Sequence, residues 1–175
     1  MKVIITRTEL DSKNFAAKLS EIGMHSLISP VINIVSVPTE VQNISEFQSI
    51  IITSKNTLAT IKTLSLSKKT LMFCVGDATA RLFKKAGFSN IRSASGSSED
   101  LLRIVKQICN PTSGPVLYLA GKNTRGLIER ELSQSGFKLE KRIVYQAEAA
   151  TCLTDSAQQA LRYGEIVGIF IFSPR

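Results

Sequence analysis

Ile50-Ile51-Ile52-Thr53-Ser54 is the stretch of sequence that decides the fold. Three consecutive apolar, β-branched residues predict a strand, and the absence of alternation indicates that both of its faces are buried. Strands of this kind belong to parallel sheets that are covered by helices on both sides. Similar short apolar runs begin at Val3, Leu71, Val116 and Ile166, with helical patterns between several of them. The sequence therefore predicts an α/β fold.

Composition and charge restrict the class of protein further. The 175 residues are 43% hydrophobic and 21% charged, as in an ordinary globular domain. Apolar runs fall far short of the roughly 18 residues of a membrane span, and no signal segment opens the chain, so we expect a cytoplasmic protein. The three cysteines are widely separated, which fits a reducing compartment. A net charge of +8 predicts attraction to anions.

Several kinds of site are excluded by residue types. His25 is the single histidine, which argues against a multi-histidine metal site. Neither a dinucleotide fingerprint nor a phosphate-binding P-loop occurs, so NAD and ATP are not expected. The basic residues look scattered along the chain, and no aromatic-rich strand accompanies them, which argues against nucleic acid. No membrane partner is expected either.

The chain contains an internal repeat. Two strand-loop-helix segments, from Val3 to Gly23 and from Val116 to Gly136, share the same spacing of 20 residues. The first copy continues far beyond its next strand, whereas the second copy stops at Arg175. The repeat therefore predicts a second copy that is cut short, with Phe170 and Phe172 lacking cover.

Small polar residues follow most of the predicted strands. Ligands of open α/β sheets bind beyond the carboxyl ends of the strands, where helix starts present unpaired N–H groups. Hydroxyl residues, glycines and cations at these positions suit oxyanions, although the same residue types also serve as ordinary helix caps. The segments concerned are residues 6–8, 53–56, 76–79, 96–98, 121–125 and 173–175.

A series of short motifs in these segments carries a family resemblance. The motifs are Thr6-Arg7, Thr53-Ser54-Lys55-Asn56, Val75-Gly76-Asp77-Ala78-Thr79-Ala80, Leu119-Ala120-Gly121-Lys122, Val144-Tyr145 and Phe172-Ser173-Pro174. In this order, and through almost the whole chain, they resemble the uroporphyrinogen-III synthase family. Two departures are Ala120, where the family commonly has Arg, and Thr8, where Pro often follows the Thr-Arg pair.

The resemblance implies a specific architecture. It implies two similar flavodoxin-like or Rossmann-like three-layer domains with parallel sheets, joined by a two-stranded connection. The first domain would be discontinuous, formed by residues 1–35 and 150–175, and the second, residues 36–149, would be inserted into it. Because family members continue beyond the Ser-Pro loop, the first domain is expected to be incomplete in this chain.

The resemblance also implies a reaction. The family takes hydroxymethylbilane, an open chain of four pyrroles, removes its terminal hydroxyl as water and closes the ring with the last pyrrole inverted. This is a lyase of haem biosynthesis that acts on a small polycarboxylate, without a metal or other cofactor, and is expected to be a monomer. The alternative is a non-catalytic α/β domain that binds an anionic metabolite.

Site residues are carried over from the matching motifs. Tyr145 is expected to hydrogen-bond to the departing hydroxyl or protonate it, and Thr79 to bind a carboxylate or orient the reacting ring. Without the resemblance, Tyr145 is a packed strand aromatic and Thr79 a first-turn helix residue. Further candidates for binding the substrate carboxylates are Arg7, Ser54, Lys55, Gly76, Ala78 and Ser173.

Overall fold

The chain forms two compact units in the computed structural model, which describes residues 1–94 and 96–172. The first unit consists of Met1–Val35 and the chain from Ala147 onward. The second unit is the continuous segment 36–146.

Strands and helices alternate along most of the described chain. The strands are β1 (Lys2–Ile5), β2 (His25–Ile28), β3 (Ile32–Ser36), β4 (Ser49–Ile52), β5 (Met72–Cys74), β6 (Ile91–Ser93), β7 (Val116–Gly121), β8 (Leu139–Ala149) and β9 (Ile166–Phe170). The α-helices are α1 (Glu9–Glu21), α2 (Leu58–Thr63), α3 (Asp77–Lys85), α4 (Ser98–Ile108), α5 (Leu127–Gln134) and α6 (Asp155–Arg162). Within the described ranges, none of these helices has the length and apolar character needed to cross a lipid bilayer.

The sheet of the second unit is built around β4. The strand order is β3-β8-β7-β4-β5-β6, and the pairs among β8, β7, β4, β5 and β6 are parallel. Ile51 packs in a cluster with residues of α4 and α5, whereas Ile50 and Ile52 pack on the opposite face with residues of α2 and α3. All three isoleucines are 0% exposed. The predicted α/β class is therefore confirmed, and burial on both faces explains why this strand does not alternate.

Two strands carry the chain across the boundary between the units. β3 ends at Ser36, where the second unit begins, and β8 continues to Ala149 in the first unit. β3 and β8 are neighbours in one sheet. The second unit is thus an uninterrupted stretch of sequence that enters along one strand and leaves along the adjacent one.

The first unit has a smaller parallel sheet in the order β2-β1-β9. On one face, Phe15 and Leu19 of α1 pack over Val3 and Ile5 of β1. α6 packs against β2, and its Ala157 is fully buried. The central strand β1 therefore receives both its partners by parallel pairing, from β2 close in sequence and from β9 near the end of the described chain.

Pro30 divides the apolar segment that follows Gly23. The sequence reads as one segment to Ile34, with Pro30 at a sheet edge or an irregular entry. In the structure, β2 and β3 lie in different sheets on either side of residues 29–31. Ser29 and Val31 donate to the carbonyls of Ile5 and Thr6 at 3.0 and 3.2 Å. Since alternate residues of a strand face the same neighbour, the nitrogen of Pro30 faces away from β1, at the free edge of this sheet, where no N–H is needed.

The expectation that Phe170 lacks cover is wrong. The Phe170 ring packs edge-on against Phe15 of α1, with centroids 5.0 Å apart. Phe172 is 43% exposed, and its ring also contacts Phe15. The residues left bare are those that alternate with Phe170, namely Val167, Ile169 and Ile171, which are 60%, 48% and 77% exposed. The sequence therefore predicts a bare face on this strand correctly but assigns it to the wrong side. α1 covers the face that carries Phe170, and the other face is exposed.

Candidate active site

The carboxyl ends of the parallel strands in the second unit form one edge of the sheet, which we call the carboxyl edge. Residues 53–56 follow β4, residues 75–79 follow β5, Lys122 follows β7, and Tyr145 lies in the corresponding part of β8. Parallel pairing brings these segments to the same side because every strand points in the same direction.

The turn after β4 begins at Ser54. The Ser54 hydroxyl accepts a hydrogen bond from the Asn56 backbone N–H at 3.2 Å, and the Thr57 hydroxyl donates to the Ser54 carbonyl at 2.8 Å. Ser54 thereby caps the short 3-10 helix Lys55–Thr57. Its O–H hydrogen is not used in this cap, so the side chain can still donate to a bound oxyanion while it holds the turn.

The start of α3 lacks a side-chain cap. Gly76 stands at the N-cap position with extended backbone angles, and an added Cβ there would meet nothing within 4 Å. Conformational strain therefore does not explain this glycine. Gly76 instead leaves the first-turn N–H groups, including those of Ala78 and Thr79, without the side-chain oxygen that a Ser or Asp would supply. An uncapped helix start of this kind attracts anions.

Tyr145 is held against the backbone of β7. The register passes from Ala120 opposite Ile143 to Gly121 opposite Tyr145, so β8 carries one extra residue, Val144, at this point. The Lys122 N–H donates to the Tyr145 carbonyl at 3.0 Å. A Cβ added at Gly121 would lie 2.6 Å from Cζ and 2.8 Å from the hydroxyl oxygen of Tyr145. The phenol ring therefore occupies the space that any other residue at position 121 would fill.

Tyr145 and Thr79 lie on the same face of the sheet. Gly121 alternates along β7 with Leu119 and Leu117, which pack in the cluster that contains Ala80 and Phe83 of α3. Because alternate residues of a strand share a face, the ring over Gly121 lies on the α3 side. β8 and β5 are separated by three strand spacings, or about 14 Å. The structure thus brings Tyr145, Ser54, Lys55, Gly76, Ala78 and Thr79 to one edge, with Tyr145 and Thr79 on one face.

The remaining predicted residues belong to the first unit. Arg7 follows β1, is exposed, donates to the Asp11 carboxylate at 3.4 Å and lies over the Phe172 ring at 4.9 Å. Ser173 lies outside the described residues. The structure therefore does not add either residue to the cluster at the carboxyl edge of the second unit.

A cavity at the other face of the carboxyl edge combines residues of the predicted strand-end segments with two groups that the sequence analysis missed, Tyr118 and Glu129. It has a volume of about 450 Å³ and is lined by Thr53, Ser97, Tyr118, Asn123 and Glu129, among others. Tyr118 is only 3% exposed, and burial raises the pKa of its phenol while a hydrogen bond with Thr53 opposes this increase. Tyr118 lies within the apolar run of β7, so the sequence predicts a core residue and gives no signal of a polar cavity wall.

Glu129 in this cavity is fixed by a lysine from β8. Lys141 donates to the Glu129 carboxylate and, at 2.6 Å, to the Thr124 hydroxyl. Burial acts to raise the pKa of Glu129, but the hydrogen bonds and charge of Lys141 together outweigh it and hold the pKa below its ordinary value. The pair leaves the cavity wall with a neutralised carboxylate rather than a negative charge that would repel anions.

The fold and this edge define a class of protein: an α/β protein with parallel sheets whose carboxyl edge presents hydroxyls, an uncapped helix start and a tyrosine. The family model for uroporphyrinogen-III synthase HemD matches residues 13–175. The chain belongs to this family.

Individual relatives agree with the family match. A uroporphyrinogen-III synthase of Saccharomyces cerevisiae is 29% identical over 57% of this chain and 42% of its own length. The chain thus spans less than half of this curated relative. Among solved structures, the uroporphyrinogen-III synthetase of Helicobacter pylori matches with a TM-score of 0.56 and 19% identity over 91% of this chain and 67% of that one. A mutant uroporphyrinogen III synthase of Thermus thermophilus matches with a TM-score of 0.57 and 18% identity over 97% of this chain and 71% of that one. At these identities, the solved structures support the fold.

Proposed function

We propose that the protein is a uroporphyrinogen-III synthase, which converts hydroxymethylbilane into the type III ring by loss of water and inversion of the last pyrrole. The observation that carries the proposal is Tyr145, a phenol fixed over Gly121 on the same edge and face as the uncapped start of α3. This arrangement supports a proton donor and an oxyanion site on one face of the second unit.

Binding of the substrate rests on its carboxylates. The first-turn N–H groups at Ala78 and Thr79 point out of α3 without a side-chain partner from Gly76, and the helix dipole favours negative charge there. Ser54 adds a hydroxyl donor and Lys55 a cation at the neighbouring strand end. We assign Arg7 and Ser173 of the first unit to further carboxylates. The net charge of +8 favours the approach of such a polyanion.

Chemistry requires departure of the terminal hydroxyl from an electron-rich pyrrole. The Tyr145 hydroxyl is a hydrogen-bond donor, so it can donate to the leaving oxygen and stabilise the charge that develops on it. Thr79 orients the reacting ring or holds one of its carboxylates. The pyrrole electrons supply much of the driving force. The protein positions the two ends of the open tetrapyrrole substrate so that inversion of the last ring outcompetes direct closure. In this proposal the enzyme is a monomeric cytoplasmic lyase that needs no metal or other cofactor.

The test is product analysis after incubation with hydroxymethylbilane. The product of the gene is mixed with the substrate, and the type I and type III rings are separated chromatographically after oxidation. We expect the type III ring from the active protein, and about 100-fold slower formation with Tyr145→Phe. Tyr163→Phe is the matched control, since Tyr163 is 79% exposed on the first unit, and it should retain the full rate.

Two outcomes would contradict the proposal. If the protein binds the substrate but leaves only the spontaneous type I product, it is a binding protein for an anionic metabolite. If Tyr145→Phe and Tyr163→Phe are equally active, Tyr145 takes no part in the reaction.

A further inference from the structure

Nearly all of the net charge of the chain is concentrated in one segment of the second unit. Residues 47–98 contain eight Lys or Arg residues and a single acidic residue, Asp77, a net charge of +7. The other 123 residues together have a net charge of +1. The basic residues that look scattered along the sequence are therefore balanced by acidic residues almost everywhere except in this segment.

Seven of the eight cations of this segment have no acidic partner in the part of the chain that the structure describes. Lys55 lies at the candidate active site and is left aside. Of the other seven, none forms an ion pair with any carboxylate in the described residues. Elsewhere, cations such as Lys2 and Lys141 lie beside Glu165 and Glu129. These seven are Lys62, Lys68, Lys69, Arg81, Lys84, Lys85 and Arg92, and we call the four lysines around the end of α3, Lys68, Lys69, Lys84 and Lys85, the basic surface.

Backbone and side-chain hydrogen bonds bring two parts of the basic surface together. Lys68 Nζ donates to the Ala86 carbonyl at the end of α3 at 3.0 Å, and the Ser89 N–H donates to the Lys68 carbonyl at 2.9 Å. Lys84 and Lys85 occupy the last turn of α3, beside this junction. Lysines from the turn before β5 and from the end of α3 therefore lie close together.

The basic surface lies away from the carboxyl edge. α3 starts at that edge with Gly76 and ends at the opposite one, where residues 68–71 lead into β5. A ligand of the candidate active site therefore does not reach Lys69, Lys84 or Lys85, and these charges need a different explanation. Helix-dipole compensation applies to Lys84 and Lys85 but not to Lys69 or Arg92, which lie outside the helices.

The chemistry of the surface selects among polyanions. Within the described part of residues 47–98, no large hydrophobic side chain is exposed, whereas membrane-surface segments insert such side chains into the lipid. Protein interfaces favour aromatic residues and Arg and are depleted in Lys, but five of the seven cations here are Lys. Phosphate groups of a nucleic acid backbone are bound by Lys and Arg without base contacts or apolar anchors.

We propose that the basic surface binds the phosphate backbone of double-stranded nucleic acid, without sequence preference. The binding is electrostatic and separate from the proposed synthase activity. The clustered lysines each neutralise one phosphate and release its counterions, so affinity falls steeply as salt is added.

The experiment measures fluorescence anisotropy of a labelled DNA duplex of random sequence at several salt concentrations. The variant Lys69→Gln/Lys84→Gln/Lys85→Gln removes three charges from the basic surface. The matched control Lys13→Gln/Lys18→Gln/Lys138→Gln removes three exposed charges elsewhere, including one, Lys18, in the last turn of a helix. Each variant is checked for folding by its thermal unfolding midpoint.

We expect the basic-surface variant to bind the duplex at least tenfold more weakly near 50 mM salt. The slope of log K against log salt concentration should be shallower for this variant than for the unmodified chain by about 2 to 3, because each lost phosphate contact reduces the slope by about 0.9. The control should lose less than twofold. Equal weakening of both folded variants, or no duplex binding by the unmodified chain, would overturn the proposal. So would stronger binding to phosphatidylserine vesicles or to polyglutamate than to the duplex, since either result would identify a different partner.

Discussion

Replacing Gly121 with Ala should move the Tyr145 ring and little else. The added Cβ would lie 2.6 Å from Cζ, 2.7 Å from Cε2 and 2.8 Å from the hydroxyl oxygen, whereas ordinary contacts lie at 3.4–4 Å. The ring must therefore retreat by about 1 Å. Gly121 lies in a strand and has no left-handed backbone angle, so Ala can adopt its conformation without strain.

The expected loss of activity follows from this displacement. A misplacement of about 1 Å in a positioned catalytic group can cost about 100-fold in rate, or about 2.7 kcal/mol of transition-state stabilisation. Overpacking against a half-buried ring should also lower the free energy of unfolding by about 1 kcal/mol. The assay is the initial rate of type III ring formation at saturating hydroxymethylbilane, together with urea unfolding of the same samples.

A double-mutant cycle distinguishes displacement of Tyr145 from general damage. If Gly121 acts through the Tyr145 hydroxyl, Gly121→Ala should have little further effect on rate in the Tyr145→Phe background. Gly168→Ala is the control, because it is also a strand glycine and its added Cβ would only touch Val3 at 4.0 Å. The reasoning would be refuted by a Gly121→Ala protein with the unmodified rate, or by rate losses that simply add in the double variant.

Two further predictions concern pH. The pKa of Glu129 is lower in the folded chain than in the unfolded chain, so the stabilising effect of its carboxylate is present above the unfolded pKa near 4.5 and is lost as pH falls through the folded pKa. Glu129→Gln should therefore flatten the decrease in the free energy of unfolding below about pH 5, measured by urea titration. An unchanged acid profile in this variant would contradict the prediction. Burial raises the pKa of the Cys74 thiol to about 12 in the folded chain. Between the unfolded pKa near 9 and pH 12 only the unfolded chain ionises, so the stabilising effect of the neutral buried thiol is complete below pH 9 and is lost as pH rises towards 12. Relative to Cys74→Ala, the unmodified chain should lose about 1.4 kcal/mol of unfolding free energy per pH unit in that interval, and parallel alkaline profiles would show that the thiol is not desolvated.

Sequence patterns were informative where burial decides residue type. Ile50, Ile51 and Ile52 show by their lack of alternation that both faces of the strand are covered, and the structure places helices on both. The division of the apolar segment at Pro30 into two strands of different sheets was harder to predict, because apolar residues continue on both sides of the proline. Which sheet each half joins depends on pairing with strands distant in sequence, and local composition does not record this.

The candidate site was predicted only in part for a similar reason. Hydroxyls and glycines at strand ends have local signatures, so the positions of Ser54, Gly76 and Thr79 at a turn and a helix start could be predicted. The contact between Gly121 and Tyr145 depends on a one-residue bulge between two strands. Tyr118 sits in an apolar run, and its polar environment comes from Thr53 and Glu129 on other elements. Contacts between residues of different strands and helices cannot be predicted from a short local segment of sequence.

The pairing of β1 with β9 has a consequence for how the protein is made. Ile5 faces Phe170, so β1 finds one of its neighbours only after the whole second unit, which lies between the two strands in sequence, has been synthesised. The segment 36–146 needs nothing that follows it and can complete its sheet while the remaining chain is still being translated. The amino-terminal β-α-β segment must meanwhile persist with an unpaired strand edge. The sheet that begins before the second unit is therefore completed after it.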